Sequence, residues 1–281
     1  MAALWRLVDE ERRRADGAAA LAARYEARAV PAHLQTFRAQ MAALQRRIEE
    51  RHRSSARLHE LHAIRLEKWL DTPGMLRPAF MATVATTLGV RGAAAAIRGR
   101  QTYAVVAASD AAARAAHELE VVLGEGPAAA AVAEGMPIRV GGSALAERWP
   151  RYGPAVAELG VRAVIAAPLL LPDRRPAVCL GALCAYDGRP VIADGTAVAT
   201  GRIADALTHT VLRTIEGDGF PSVFEEADYQ AVVHQAVGVI SVQCDCGITD
   251  AEALLRAHAF AEDRPIADVA QDVVQGRLRL S

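Results

Sequence analysis

Two apolar segments, residues 161–170 and 178–186, are separated only by the short turn sequence PDRRP, and they constrain the fold more than any other feature. Segments of this length and composition are typical of β-strands, and a connection this short joins them as antiparallel neighbours. Further strand-like and helical stretches precede and follow them, at residues 93–97, 103–108, 111–123, 137–140 and 194–215. The pattern predicts an α+β domain built on an antiparallel sheet with flanking helices.

The first 70 residues are rich in alanine, arginine, glutamate, leucine and glutamine, which are strong helix formers. Pro31 divides this segment into two helices, because proline removes an internal hydrogen bond. Apolar residues in the second helix alternate at spacings of three and four, at Leu34, Phe37, Met41, Leu44 and Ile48, with Leu58 and Leu61 beyond them. Arg51 and Ser55 interrupt this heptad pattern. The segment therefore fits a parallel coiled-coil dimer or, alternatively, a helical hairpin that packs against the next domain.

Residues 229–280 contain three short amphipathic segments separated by turn residues. The third carries one apolar stripe at helical spacing, which consists of Ile266, Val269, Ala270, Val273 and Val274. The second opens with Thr249 and Glu252, whose spacing predicts a capping box. Pro265 is expected in the first turn of the third helix. A unit this small is not a catalytic domain, so we expect it to bind a partner.

Composition excludes several classes of protein. A chain of 281 residues with 52 % apolar and 23 % charged residues is neither disordered nor fibrous, and it has room for about two domains. Its apolar runs are too short and too interrupted to span a bilayer, and its charged start is unlike a signal peptide. Four cysteines without an export signal predict reduced thiols. We therefore expect a cytoplasmic protein with no membrane partner.

The net charge of −1 is unevenly distributed along the chain. Residues 1–70 carry 14 basic and 9 acidic side chains, whereas the part from Ser222 onward carries 4 basic and 10 acidic ones. The C-terminal segment is thus acidic, which is the opposite of what binding to phosphate groups favours.

Three motifs mark the middle of the chain: LGEGP at 123–127, RWPRYGPAVAELGVRAVIAAPL at 148–169 and LGALCAYDGRP at 180–190. With them, residues 74–215 resemble the GAF domain family. The resemblance implies a sensory domain with a small-molecule pocket on one face of the sheet, and it leaves the ligand and its binding residues unknown. Relatives commonly have a cysteine after the GEGP turn, where this chain has Ala128. We expect no thiol-based role at that position.

An enzymatic function is not expected. Some GAF-type proteins reduce methionine sulfoxide with paired cysteines, but Cys179 and Cys184 are an odd number of residues apart on one predicted strand. They should therefore point to opposite faces of the sheet. The sequence shows no nucleophile–base arrangement, glycine-rich phosphate loop or HExxH motif. His59 and His62 share a helix face, but a metal site needs more ligands. We expect no catalytic residues, no cofactor and no metal.

Three further segments lie near the C-terminus: HQAVGVI at 234–240, GITDAEALLRAHAF at 247–260 and DRPIADVAQDVV at 263–274. With them, residues 228–276 resemble the ANTAR domain, an RNA-binding module of transcription antitermination regulators. The resemblance implies a homodimer that binds tandem RNA stem-loops in nascent transcripts. Holding that RNA structure prevents a terminator hairpin from forming, so that transcription continues.

The chain departs from this family at two places. Many relatives have the sequence A-K-G where this chain has valine at position 237, and many have methionine where Ser241 stands. Recognition of loop bases by stacking and hydrogen bonds can compensate for missing charge. We predict RNA contacts from the residues expected to be exposed, which are Gln235, Gly238, Arg256, Arg264 and Arg277.

The sequence thus predicts a helical or coiled-coil segment (1–70), a GAF sensor domain (74–215), a linker (216–222) and an ANTAR domain (223–281). Cys244 and Cys246 are expected in a capping loop before Gly247, with free thiols. The predicted function is ligand- or signal-responsive transcription antitermination. The alternative is a regulator whose acidic three-helix unit docks a partner protein and has lost RNA binding. A helix-turn-helix DNA binder is disfavoured, because the third helix carries Asp268 and Asp272 and no basic residue.

Overall fold

Two long antiparallel helices form the N-terminal part of the protein. The structure is a computed structural model that describes residues 1–27, 31–71, 79–98, 103–171, 178–215, 227–264 and 266–280. Helix α1 spans Ala2–Ala27 and helix α2 spans Ala32–Leu70, with Pro31 as the N-cap residue of α2. Side chains pair across the two helices in reverse order, Trp5 with Glu67, Arg12 with Glu60 and Glu26 with Arg46. The segment is therefore a helical hairpin.

The described residues of Met1–Pro78 and Gly201–Ser222 form one of two units. In this unit α1 packs on the face of α2 that carries Ala42, Ala56 and Ala63, all of which are buried. The predicted heptad stripe lies elsewhere on α2. Its first two residues, Leu34 and Phe37, are 41 % and 54 % exposed. The hairpin thus leaves the start of that stripe uncovered.

The second unit contains the described residues of Ala79–Thr200 and Val223–Ser281. Its sheet has five antiparallel strands in the order β2-β1-β5-β4-β3. The strands are β1 (Gly92–Arg98), β2 (Tyr103–Ala108), β3 (Ile138–Gly141), β4 (Ala163–Leu170) and β5 (Cys179–Asp187). Because β4 and β5 are antiparallel neighbours, the α+β fold expected from the sequence is confirmed.

Five helices accompany the sheet: α3 (Phe80–Leu88), α4 (Ala111–Leu123), α5 (Pro127–Glu134), α6 (Ala144–Arg148) and α7 (Tyr152–Glu158). Helix α8 spans Asp194–Ile215, and its residues from Gly201 onward belong to the first unit. The core on one side of the sheet is built from α4 to α7 and from alternate residues of the strands. Alanines such as Ala94, Ala108, Ala166 and Ala182 bring these helices close to the sheet. Removing this apolar surface from water is the main contribution to stability.

The expectation that Cys179 and Cys184 point to opposite faces was wrong. Both contact the core beneath α4 to α7, Cys184 fully buried and Cys179 partly buried. An irregularity in the pairing of β4 with β5, between Pro168 and Leu170, shifts the register by one residue and reverses the alternation. Gly181 lies there with a φ of 158°, and a Cβ atom on it would lie 1.9 Å from the carbonyl oxygen of Ala96. Both thiols are free.

Three C-terminal helices, α9 (Ala227–Gln243), α10 (Ile248–Ala261) and α11 (Ile266–Val274), share a separate apolar core. The stripe predicted on the last helix is confirmed, because Ile266, Val269, Ala270 and Val273 are buried in this core and Val274 packs against it. Ala236 and Ile240 of α9 and Leu255 of α10 meet it from the other two helices.

One prediction about the turns of these helices was wrong. Helix α10 begins with Gly247 as its N-cap and with no side-chain cap, so Thr249 lies inside the first turn and forms no capping box. Glu252 instead pairs with Arg256. Cys244 and Cys246 lie, as expected, in the loop between α9 and Gly247, with free thiols. Asp245 between them is left-handed, at a φ of 48°, a conformation that aspartate tolerates better than most residues.

Some sequence predictions concern residues outside those that the structure describes. These are the turn at 172–176, the linker at 216–222 and Pro265. Among the described helices, none is both long and apolar enough to cross a membrane.

Candidate functional site

The LGEGP motif forms the turn between α4 and α5, under the helices that cover one face of the sheet. Gly124 ends α4 in the left-handed conformation, at a φ of 70°. Gly126 is the N-cap residue of α5, and Pro127 occupies its first turn, where the missing N–H is not needed. The motif thus ends one helix and begins the next within three residues.

Glu120, in the last turn of α4, is turned inward onto this motif. Its carboxylate accepts hydrogen bonds from the backbone N–H groups of Ala128 (3.1 Å) and Ala129 (2.6 Å), at the N-terminus of α5. A Cβ atom on Gly126 would lie 2.4 to 2.8 Å from the Glu120 side chain, so only glycine admits this contact. Burial raises the pKa of Glu120 to about 7, although the two N–H groups favour its ionised form.

Three further polar groups are buried beside Glu120. They are the hydroxyls of Tyr152 and Tyr186 and the thiol of Cys184, and all three side chains are at most 1 % exposed. Tyr186 interacts with both Tyr152 and Cys184 in this cluster. Burial, together with the nearby Glu120 carboxylate, raises the pKa of each of these groups well above its usual value. The core on this side of the sheet thus contains four buried polar side chains.

Glu125 connects the same motif to α7. Its carboxylate accepts the backbone N–H groups of Arg151 (2.6 Å) and Tyr152 (3.0 Å), which begin that helix. The hydrogen bond from Tyr152 outweighs desolvation and, with that from Arg151, lowers the pKa of Glu125. The LGEGP turn is therefore tied to both α5 and α7 by carboxylates on helix N-termini.

Of these buried groups, only Cys184 was considered from the sequence, as a strand thiol not expected to pair with Cys179. A usable indication for Glu120 was present, because it stands between Leu119 and Val121 near the end of α4, shortly before a glycine-rich turn. Ala128, which stands where relatives have cysteine, donates its N–H group to Glu120 and has no side chain that could react. Among the described residues, no group of three or more His, Cys, Asp or Glu side chains could hold a metal ion.

The predicted RNA-binding residues lie on the C-terminal unit. Gln235 is exposed on α9, and Gly238, one turn further along, is partly buried. Arg256 on α10 forms an ion pair with Glu252 at 2.7 Å. None of these three forms a side-chain hydrogen bond or ion pair with another predicted RNA-binding residue in the described part of the chain.

Arg264 and Arg277, by contrast, meet at one carboxylate. The guanidinium of Arg264 lies 2.6 Å from Oδ2 of Asp272, and that of Arg277 lies 2.6 Å from its Oδ1. Arg264 also pairs with Glu262 at 3.0 Å. The hydrogen bonds to Asp272 and Glu262 raise the pKa of Arg264, and the guanidinium groups of Arg264 and Arg277 lower the pKa of Asp272. The two arginines are 38 % and 58 % exposed, so they remain accessible to solvent.

Cys244 and Cys246 lie in the turn after α9. The thiol of Cys244 donates to the carbonyl of Leu280 at 3.3 Å, and the Ser241 hydroxyl donates to the carbonyl of Cys246 at 2.6 Å. Burial raises the pKa of Cys246, and the neighbouring acidic groups add to this effect. Cys244 thus connects Leu280 to the turn after α9, and both thiols are free.

Comparison with known proteins identifies the middle of the chain. Residues 77–208 match the family model for the GAF domain, so this segment is a GAF domain. GAF domains point to a ligand-sensing regulatory role. No curated protein matches the chain significantly.

Two similar solved structures also come from bacterial proteins. One is a domain described as part of a putative two-component sensor histidine kinase from Sinorhizobium meliloti 1021, which is 20 % identical. The match covers 47 % of this chain and 85 % of that chain, with a TM-score of 0.38. The other is the GAF domain of an Acinetobacter phosphoenolpyruvate-protein phosphotransferase, which is 12 % identical. The match covers 61 % of this chain and 97 % of that chain, with a TM-score of 0.39.

Proposed function

We propose that this protein is a non-catalytic, dimeric regulator of transcription antitermination, in which the GAF domain senses a small molecule and helices α9 to α11 bind tandem RNA stem-loops. The observation that carries the RNA part is the agreement between α9, α10 and α11 and the three segments that resemble the ANTAR domain. These helices have an apolar core of their own. A small unit of this kind can be presented to RNA as one body.

The arginines of the C-terminal unit suit an exchange of partners. Arg264 and Arg277 are held by carboxylates at the surface, and exposed ion pairs of this kind contribute little to stability. An RNA phosphate can therefore replace Asp272 at small cost, since guanidinium groups bind both anions with the same two-pronged geometry. The paired arginines would then become the phosphate contacts.

Dimer formation is supported by the apolar stripe on α2. Leu34 and Phe37 are exposed, and Met41, Leu44 and Ile48 continue the same spacing with partly buried side chains. Alternating spacings of three and four residues fit the packing of one helix on a like helix. Two C-terminal units brought together in this way would bind tandem stem-loops with an affinity raised by effective concentration.

An electrophoretic shift of the full-length protein with tandem stem-loop RNAs from its own genome tests this function. We expect a shifted complex with the unchanged protein and a weakened one when Arg256 and Arg264 are both changed to alanine. A complex that survives this double change would contradict the assigned contacts. No complex with any such RNA would contradict the proposed function.

A second candidate is docking of a partner protein, and the outer face of α10 favours it. This face exposes Leu254 (41 %) and Phe260 (62 %) together with the exposed alanines Ala253, Ala257 and Ala261. Contiguous exposed apolar surface commonly marks a protein interface. If RNA is the partner through the arginines, Phe260→Ser should leave the RNA complex intact. If Phe260→Ser abolishes transcription antitermination in the cell while the RNA complex stays intact, the docking function is favoured.

A further inference from the structure

Glu120 is a buried acid, and no cation among the described residues compensates its charge. Among the described residues, the only groups that lower its pKa are the N–H groups of Ala128 and Ala129, and burial outweighs them. A charge held inside a protein without an opposite charge is unfavourable, and such a group tends to take up a proton instead.

The elements around Glu120 offer little other charge. Helix α5 contributes backbone N–H groups, α7 contributes Tyr152, and β5 contributes Cys184 and Tyr186. Strands β1 and β2 contribute Ala94 and Ala108 to this core. On α4 itself, His117 and Glu118 are also buried. Helix α10 contacts α4, and its basic groups Arg256 and His258 are paired with Glu252 and Glu262.

The two protonation states of Glu120 hold helix α5 differently. The ionised carboxylate accepts the two N–H groups at the start of α5. A protonated carboxyl group is a weaker acceptor for these N–H groups, but it no longer places an uncompensated charge among buried side chains. Uptake of a proton therefore removes the buried charge and weakens the hydrogen bonds to α5.

We propose that the Glu120 carboxyl group is a reversible proton-binding site, through which the GAF domain responds to pH. Loss of the proton strengthens the bonds to Ala128 and Ala129 and draws α5 onto the end of α4. Uptake of the proton weakens those bonds. The proton thus changes how tightly α5, the helix after the LGEGP turn, is held against α4.

Burial supports this inference, because it raises the pKa of Glu120 to about 7, which lies within the range of pH found inside cells. The inference concerns the GAF domain alone and goes beyond the proposed function. RNA binding by the C-terminal helices neither supports nor overturns it.

Infrared difference spectra of the full-length protein, recorded between about pH 5.5 and pH 8.5, test the proposal directly. The carbonyl band of a protonated carboxyl group should be present at the acidic end and should disappear at the basic end. Glu120→Gln should lack this band, because the amide cannot ionise. Glu125→Gln is the matched control and should keep it, since Glu125 is held ionised by the N-terminus of α7.

A band that does not change with pH in the unchanged protein, or that persists in Glu120→Gln, would overturn the proposal. Should Glu120→Gln fail to fold, NMR of the unchanged protein labelled with ¹³C-glutamate replaces it. We expect one buried carboxyl resonance to titrate around neutral pH, in step with the amide resonances of Ala128 and Ala129. Amide resonances that stay constant through this range would equally overturn the proposal.

Discussion

Nδ1 of His52 donates a hydrogen bond of 2.6 Å to Oε2 of Glu11 inside the α1–α2 hairpin, where both side chains are buried. The ring of His209, on α8, meets His52 edge-on with 5.2 Å between ring centroids. Burial works to raise the pKa of Glu11, but the hydrogen bond and charge of His52 outweigh it, so this pKa is lowered. The three side chains join the three helices of the first unit.

The first prediction concerns acid. Burial, only partly offset by Glu11, lowers the pKa of His209 from 6.5 to about 4. The folded protein binds a proton at His209 less tightly than the unfolded chain does. The free energy of unfolding is therefore highest above pH 6.5, where His209 is neutral in both states, and it decreases as the pH falls towards 4. After allowance for solvent screening, we expect a loss of about 2 kcal/mol in the free energy of unfolding.

Urea unfolding followed by tryptophan fluorescence, to which Trp5 and Trp69 at the apolar cluster of the hairpin contribute, measures this loss. His209→Gln should flatten the dependence on pH between 4 and 6.5. His33→Gln, at an exposed position of α2, should leave it unchanged. An equally steep loss in His209→Gln would refute the assignment to His209.

The second prediction concerns the close contact at Gly126. Gly126→Ala places a methyl group 2.4 to 2.8 Å from Glu120, which must move and give up its bonds to α5. We expect a loss of about 2 kcal/mol in the free energy of unfolding. Gly17→Ala is the matched control, because Gly17 lies in α1 with open space around it. It should raise the stability by about 1 kcal/mol, and the two changes can be compared by urea titration.

The third prediction concerns the shared carboxylate on α11. Asp272→Asn releases Arg264 and Arg277 from their common partner and should tighten the binding of tandem stem-loop RNA about three- to tenfold at low salt. Asp268→Asn removes the same charge from an exposed position of the same helix, where no ion pair is formed within the described residues. Fluorescence anisotropy measures both. Equal gains from the two changes would show that only net charge matters.

The fourth prediction concerns self-association. Phe37→Ser removes the most exposed residue of the α2 stripe and should weaken the dimer ~10-fold or more, as measured by sedimentation equilibrium. Val191→Ser changes a side chain that is 77 % exposed outside the helical hairpin and serves as the control. A dimer that is unaffected by Phe37→Ser would place the interface elsewhere.

Much of the fold follows from local patterns in the sequence. The bounds of β2, α4 and α8 match the expected ranges residue for residue, because composition and turn residues mark their ends. The stripe on α11 was equally readable, since its period of 3.6 residues selects one buried face. These features depend on neighbours in the chain.

Features that depend on distant contacts were not predictable in the same way. The face of Cys179 depends on a register shift relative to β4, and α10 begins at Gly247 without the capping box that the Thr249–Glu252 spacing predicted. The buried neighbours of Glu120 come from α5, α7 and β5, and the spacing of residues along the sequence does not indicate that these elements meet. Arg264 and Arg277 were predicted as exposed residues, but their positions in the sequence did not indicate that they share Asp272.

The contact between Gly126 and Glu120 also bears on how the sequence can change over time. A side chain at position 126 and a long acidic one at position 120 cannot occupy the same space. The two positions should therefore vary together: descendants that acquire an alanine or serine at 126 should first acquire a shorter residue at 120. The order of these substitutions is constrained, and a chain that takes the second step first passes through a destabilised intermediate.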